Sequence, residues 1–111
     1  MCWFKKKKAQ QAFVDTTRFL VEYAGNINSL LSYTKENEKV SQEIKRVADA
    51  YVYAVAPKLY NKKIQQYCDN IAKMYEDLRA LIKSREWDEN EVLYRLADLK
   101  SELQILLAVT M

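Results

Sequence analysis

Histidine is absent from the 111-residue chain, and glycine and proline occur once each, as Gly25 and Pro57. Loops that wrap phosphate groups need several glycines, so nucleotide sites of the P-loop and Rossmann types are excluded. Without histidine there is no imidazole base for a serine or cysteine nucleophile and no imidazole metal ligand. An all-β fold with many glycine and proline turns is also excluded. The sequence therefore predicts a small helical protein that is not an enzyme and uses no cofactor.

Cysteines and long apolar stretches are also scarce. Cys2 and Cys68 are the two cysteines, and their separation matches no metal-binding motif. A small secreted domain usually contains more cysteines, so we expect two reduced thiols in a cytoplasmic protein. No stretch reaches the roughly 18 apolar residues that a membrane span needs. The residues at the start stand in the wrong order for a signal peptide, so a cytoplasmic location is expected, with a peripheral membrane contact as the alternative.

Apolar residues recur at steps of three and four, which is typical of amphipathic helices that pack on one another. No segment alternates with a period of two, so no strands are predicted. The four series are Phe13, Thr17, Leu20, Ala24, Ile27 and Leu31; Val40, Ile44, Val47, Tyr51 and Ala54; Tyr60, Ile64, Tyr67, Ile71, Met74, Leu78 and Leu81; and Val92, Leu96, Leu99, Leu103 and Leu106. The predicted fold is all-α, an antiparallel four-helix bundle.

Local residues predict where the helices begin. The first helix is expected over about residues 5–33, with a kink or break at Gly25, since glycine weakens a helix. Thr34 has the side chain of an N-cap and is predicted to begin the second helix. Asp88 followed by Glu91 has the spacing of a capping box and is predicted to begin the fourth helix, just after Trp87.

Pro57 leaves two architectures open, because the apolar register slips between Ala54 and Tyr60. In the first, Pro57 is the first residue of the third helix and follows a tight turn. In the second, the protein has three helices, and one of them, about 75 Å long, is kinked at Pro57. Four helices are favoured, since short links make consecutive helices antiparallel neighbours.

The basic residues are unevenly distributed. Four of the 18 lysines and arginines form the run Lys5–Lys8, which leaves 14 to balance 15 acidic residues in the rest of the chain. We therefore divide the chain into a basic aromatic tip, residues 1–8, and a bundle domain, residues 9–111. In an up-down-up-down bundle the chain start, the Pro57 corner and the C-terminus share one end. The opposite end contains the acidic link 86–91.

The shared end is the predicted contact surface for an anionic membrane or an acidic partner. Its candidate residues are Trp3, Phe4, Lys5, Lys6, Lys7, Lys8, Lys58, Lys62 and Lys63. Aromatic rings lie among lipid headgroups while lysines contact anionic lipid. Such a tip supports reversible binding of about micromolar strength. Nucleic acid is a further alternative partner that we do not favour, because four phosphate contacts give only weak non-specific binding.

Tyrosines provide a second set of candidates, since eight occur and tyrosine is enriched at protein interfaces. The protein-interface candidates are Tyr53, Tyr75, Trp87 and Tyr94. The C-terminal run 105–109 is apolar around most of its helix, so that this helix is either central in the bundle or part of a homodimer contact.

No metal site is predicted, because bundle di-iron sites need paired Glu-x-x-His motifs. The function expected from the sequence is that of an interaction or adaptor module with a protein partner of unknown identity.

Overall fold

The computed structural model describes the backbone of residues 9–56 and 62–109, with side chains described from Thr16 onward. These residues form α1 (Ala9–Ser29), a 3₁₀ turn (Leu30–Tyr33), α2 (Glu38–Val52), α3 (Lys62–Lys83) and α4 (Glu89–Ala108), with no strand among them. The predicted all-α four-helix bundle is confirmed. The alternative with one long kinked helix is wrong, because α2 ends at Val52 and residues 53–56 are not helical. The expectation that Pro57 begins the third helix, like the tip 1–8, lies outside the described residues.

The order of the helices around the bundle differs from a simple meander. The helices α1 and α2 form one pair, α3 and α4 form another, and the two pairs meet where α2 packs on α4 and where the end of α1 approaches α3. Within the described residues the backbones of α2 and α3 are not in contact, so these two helices lie diagonally opposite each other in the bundle. Consecutive helices α2 and α3 are therefore not neighbours, contrary to the expectation for a short link. The nine residues between Val52 and Lys62 are long enough to cross the diagonal.

Side-chain contacts show the relative direction of α2 and α4. Asn37, just before α2, donates from Nδ2 to Glu89 Oε1 at the start of α4, at 3.0 Å. Tyr51, near the end of α2, donates its hydroxyl to the carbonyl oxygen of Leu99 at 2.7 Å. Since early residues meet early residues and late residues meet late ones, α2 and α4 run parallel. The end of α1 is held to α3 by the edge-to-face contact of Tyr23 with Tyr75, whose ring centroids lie 5.5 Å apart.

The core follows the predicted apolar series in α2 and α4. In α4 all five predicted positions are buried, and in α2 four of five are, with Ala54 half-buried. In α3 the buried face is rotated toward the set Ile64, Cys68, Ile71, Tyr75, Leu78 and Ile82. The predicted Tyr67, Met74 and Leu81 are only half-buried. Spacing alone allows either set, because both share the positions seven residues apart, and the directions of α4 and α1 decide between them.

The first helix differs from its prediction in three ways. It passes through Gly25 without a break, so the predicted break is wrong. Thr16 is buried, whereas the predicted core position Thr17 is exposed. Leu30 replaces the predicted Leu31 in the core, because the final turn tightens into a 3₁₀ helix with three residues per turn.

The helix starts were predicted correctly for α4 and wrongly for α2. Asp88 is the N-cap of α4, and its Oδ2 accepts the backbone N–H of Glu91 at 3.1 Å. The N-cap of α2 is Asn37, whose Oδ1 accepts from the N–H of Val40 at 3.0 Å. Thr34 is instead buried at the end of the 3₁₀ turn, where its hydroxyl lies 2.9 Å from that of Ser41. Residues 35–37 separate Thr34 from the first residue of α2. The N-cap is therefore Asn37, which stands directly before the helix.

Candidate functional site

The first candidate surface is the end of the bundle where α2 stops and α3 starts, which we call the Tyr53 end. Its described members are Val52, Tyr53, Val55, Lys62 and Lys63. Tyr51 lies level with Leu99 of α4, and Glu102, about one turn further along α4, accepts from Asn70 Nδ2 at 3.0 Å. Because α3 runs antiparallel to α4, its first residues lie about 12 Å beyond Asn70, on the same side as the end of α2. The topology therefore brings these five residues to one end.

Large apolar side chains are exposed at the Tyr53 end. Tyr53 is 79% exposed, Val55 is 70% exposed and Val52 is 45% exposed. Ala56 is buried, at 4% exposure, and Ala54 is half-buried, so the segment that follows α2 stays against the bundle while Tyr53 and Val55 point to solvent. Both Lys62 and Lys63 are exposed. The Tyr53 end thus presents exposed apolar side chains and two lysines at the same end of the bundle.

The other residues predicted for this end lie outside the described part of the chain. They are Trp3, Phe4, Lys5, Lys6, Lys7, Lys8 and Lys58. Of the nine predicted contact residues, the structure therefore brings Lys62 and Lys63 together at the Tyr53 end.

The four interface candidates fall into different environments. Tyr53 belongs to the Tyr53 end, and Tyr94 is 77% exposed on α4. Tyr75 is 5% exposed, and its hydroxyl donates to the carbonyl oxygen of Asn26 at 3.2 Å, so its ring is not available to a partner. Trp87 is half-buried against the core and lies in the link between α3 and α4. The C-terminal run is divided in the same way, with Leu106 buried and Ile105 45% exposed.

The opposite end of the bundle contains a cleft that we call the Trp87 cleft. It has a volume of about 700 Å³ and lies where the two short links meet. Its lining residues are Ser32, Tyr33, Thr34, Lys35, Glu36, Asn37, Arg85, Trp87 and Glu89. The cleft is therefore built by the turn before α2, the turn after α3 and the first residue of α4.

Ion pairs reduce the acidic character predicted for this end. Lys39 Nζ lies 3.8 Å from Glu89 Oε2, and Asn37 donates to the other oxygen of the same carboxylate. Arg95 Nη2 lies 3.4 Å from Glu91 Oε2. Among the charged groups that line the cleft, Lys35, Arg85 and Glu36 form no ion pair with a described residue. Two cations thus face one carboxylate in the cleft.

Arg85 has an unusual backbone. Its φ of 62° is in the left-handed region, and it is the one non-glycine residue with positive φ in the described ranges. Its N–H donates to the carbonyl oxygen of Ile82 at 3.2 Å, which terminates α3. Glycine is the usual residue at this position after a helix, because a Cβ atom is disfavoured there.

Burial favours the neutral forms of the Cys68 thiol and the Tyr51 hydroxyl. Burial raises the pKa of the Cys68 thiol to about 12, with a further contribution from nearby Asp69. Burial also raises the pKa of Tyr51, and the charge of Glu102 acts in the same direction. A neutral thiol is a poor nucleophile, so Cys68 is a packing residue.

Within residues 16–56 and 62–109, no three His, Cys, Asp or Glu side chains come together to hold a metal ion. In the same part of the chain no helix combines the length and the apolar character that a bilayer crossing demands.

Comparison of the chain with protein-family models, curated proteins and solved structures finds no match.

Sequence reasoning missed most of the Trp87 cleft. Trp87 was a candidate, whereas Tyr33, Lys35 and Arg85 were not. No spacing in the sequence links residues about 50 positions apart, and the left-handed conformation of Arg85 has no marker in a link without glycine. The one available signal was the pair of short links, which an antiparallel bundle brings to the same end.

Proposed function

We propose that the protein is a non-enzymatic interaction module that binds an acidic protein partner through its Tyr53 end. The observation that supports this proposal is the solvent exposure of Tyr53 and Val55 at the end where Lys62 and Lys63 begin α3. Tyrosine buries a large ring at small entropic cost and is enriched among the residues that dominate binding energy. The partner would present an apolar pocket bordered by carboxylates.

The charges support recognition rather than raw affinity. Exposed lysines at the rim of an interface mainly accelerate association and reject partners of the wrong charge. The apolar anchors supply the affinity, because burial of one Val side chain contributes about 1.5–3 kcal/mol and the Tyr53 ring adds a large apolar surface. A surface of this kind suits a reversible contact.

A peripheral membrane protein is the second candidate function. The presence of Tyr53, two valines and two lysines at one end of the bundle also fits the headgroup region of an anionic bilayer. Each lysine near an anionic surface contributes about 1 kcal/mol, so the two described lysines alone give a weak contact.

Site-specific crosslinking tests the protein candidate. A photoreactive benzoylphenylalanine is placed at position 53 or at position 94, since Tyr53 and Tyr94 have nearly equal exposure, 79% and 77%, on different parts of the molecule. We expect a discrete crosslinked protein from position 53 but not from position 94. The yield of the product should fall with Lys62→Glu and be retained with Lys73→Glu, which changes the net charge equally at an exposed site elsewhere on α3. Equal products from both positions, or none from position 53, would contradict the proposal.

Vesicle co-sedimentation tests the second candidate. Vesicles of phosphatidylcholine alone are compared with vesicles that contain phosphatidylserine. The membrane candidate predicts binding that requires the anionic lipid and is lost with Tyr53→Ser but not with Tyr94→Ser. This result would favour a membrane surface over a protein as the partner of the Tyr53 end.

A further inference from the structure

The Trp87 cleft lies at the opposite end from the proposed docking surface and has its own chemistry. Two of its lining groups are aromatic. Trp87 is held half-buried against the core, and Tyr33 is 41% exposed at the end of the 3₁₀ turn. A wall that is anchored in the core is already in place before a ligand arrives, so little ordering is needed on binding.

The cations of the cleft are available to a ligand. The Glu89 carboxylate is already engaged by Lys39 and Asn37, whereas Lys35 and Arg85 form no ion pair with any described residue. Both side chains are exposed, and Glu36 is the one lining carboxylate that lacks a cation. The lining that remains after internal pairing therefore carries one net positive charge.

The backbone of Arg85 points to a role beyond stability. A residue with a Cβ atom is disfavoured relative to glycine in the left-handed region, and strained residues concentrate at functional sites. Glycine would end α3 equally well through the same N–H bond to Ile82. Glycine has no side chain, so the guanidinium group is what arginine adds at this position.

We propose that the Trp87 cleft binds a carboxylate attached to an apolar or aromatic group. Arg85 binds the carboxylate through its planar fork of donors, and Lys35 adds a second positive charge. The apolar group packs against Trp87 and Tyr33. Such a carboxylate comes either from a free small acid or from an acidic residue beside an apolar one in a partner protein. This inference goes beyond the proposed function and involves the other end of the molecule.

The experiment uses Trp87 as its own reporter. The chain contains two tryptophans, so Trp3→Phe leaves Trp87 as the single tryptophan of the full chain. Three probes without tryptophan are titrated: N-acetylphenylalanine, its amide, and a blocked peptide acetyl-Ala-Phe-Glu-Ala-amide. We expect saturable changes in Trp87 emission with the two carboxylates and at least about tenfold weaker binding of the amide. Tighter binding of the free acid or of the peptide identifies the source of the carboxylate.

Substitutions at Arg85 separate binding from folding. Arg85→Gly is expected to raise the Tm by about 2–5 °C, since the strain is relieved, while it weakens carboxylate binding at least about tenfold. Arg85→Lys keeps the positive charge but loses the planar pair of guanidinium donors. Its affinity for the carboxylate should therefore lie between that of the unsubstituted protein and that of Arg85→Gly. Lys83→Ala removes an exposed cation of α3 that does not line the cleft, and it should leave binding unchanged.

Three results would overturn the inference. The first is equal binding of the acid and the amide, and the second is unchanged binding in Arg85→Gly. The third is no saturation by any probe up to about 10 mM, beyond millimolar affinity. None of these results bears on crosslinking from position 53, so the two proposals fail independently.

Discussion

Tyr51 of α2 donates its hydroxyl to the main-chain oxygen of Leu99 in α4, at 2.7 Å, with both residues fully buried. The bond joins two helices that are not adjacent in sequence and fixes their relative rotation. Leu99 lies inside α4, where its oxygen also belongs to the helical hydrogen-bond ladder. A buried hydroxyl that finds such an acceptor avoids the desolvation penalty of an unpaired polar group.

Tyr51→Phe should lower the free energy of unfolding by about 0.5–1.5 kcal/mol, the net value of one hydrogen bond. Tyr51→Ala should cost about 3–5 kcal/mol, because it also leaves a cavity. Denaturant titration measures both. Tyr53→Phe is the matched control, since Tyr53 is 79% exposed. A loss as large in the control as in Tyr51→Phe would contradict the assigned bond.

Gly25→Ala should stabilise the protein by about 0.5–1 kcal/mol. Gly25 is exposed inside α1, has no positive φ, and a Cβ added to it would meet no atom within 4 Å. Alanine therefore gains helix propensity without a clash. The reverse change at an exposed position of α4, Ala97→Gly, should destabilise by a similar amount. A destabilised Gly25→Ala would mean that α1 has to bend at this residue.

Asn37, and not Thr34, should stabilise the start of α2 as its N-cap. Asn37 does so through two separable contacts. Asn37→Ala removes both the N-cap and the bond to Glu89, and it should cost about 1–2 kcal/mol. Asn37→Asp keeps the cap oxygen but replaces the donor to Glu89 by a second negative charge. Urea denaturation with added salt measures the difference. Salt should recover part of the stability of Asn37→Asp and none of that of Asn37→Ala.

Stability should fall above pH 9 because of Cys68. Its pKa is about 12 in the folded protein against 9.0 for the free thiol. The folded state keeps its proton between these values while the unfolded state loses it, so the stabilising contribution is complete below pH 9 and decreases as the pH rises toward 12. The slope per proton is about 1.4 kcal/mol per pH unit. The slope approaches this value only above about pH 10, where the unfolded thiol is almost fully deprotonated, so denaturant titrations between pH 8 and 11 follow its rise.

The matched variant is Cys68→Ala, which should flatten the dependence in that window. In a Cys2→Ser background the thiol of Cys68 should react with a disulfide reagent only as fast as the protein opens. Identical slopes for the two proteins, or rapid labelling of the native state, would exclude the buried neutral thiol.

Some features of this protein depend on spacing alone and were predictable from the sequence. The positions in α4 from Val92 to Leu106 and the cap at Asp88 belong to this class, because a periodic apolar series and a capping side chain act within one or two turns. Four helices were the favoured fold, but the series left a long helix kinked at Pro57 open, and the predicted break at Gly25 did not occur.

Other features were decided by which helices became neighbours. The apolar series of α3 allows Met74 or Tyr75 on its inner face, and the contact of Tyr75 with α1 selects the second. The Trp87 cleft joins residues from two links far apart in sequence. The sequence by itself determined four amphipathic apolar series and the positions of the lysines, since both are local properties. Only the tertiary structure decided that one long kinked helix does not form, that α2 and α3 lie diagonally opposite, that Tyr53 is exposed and that Lys35, Arg85 and Trp87 are grouped, because these depend on packing between distant segments.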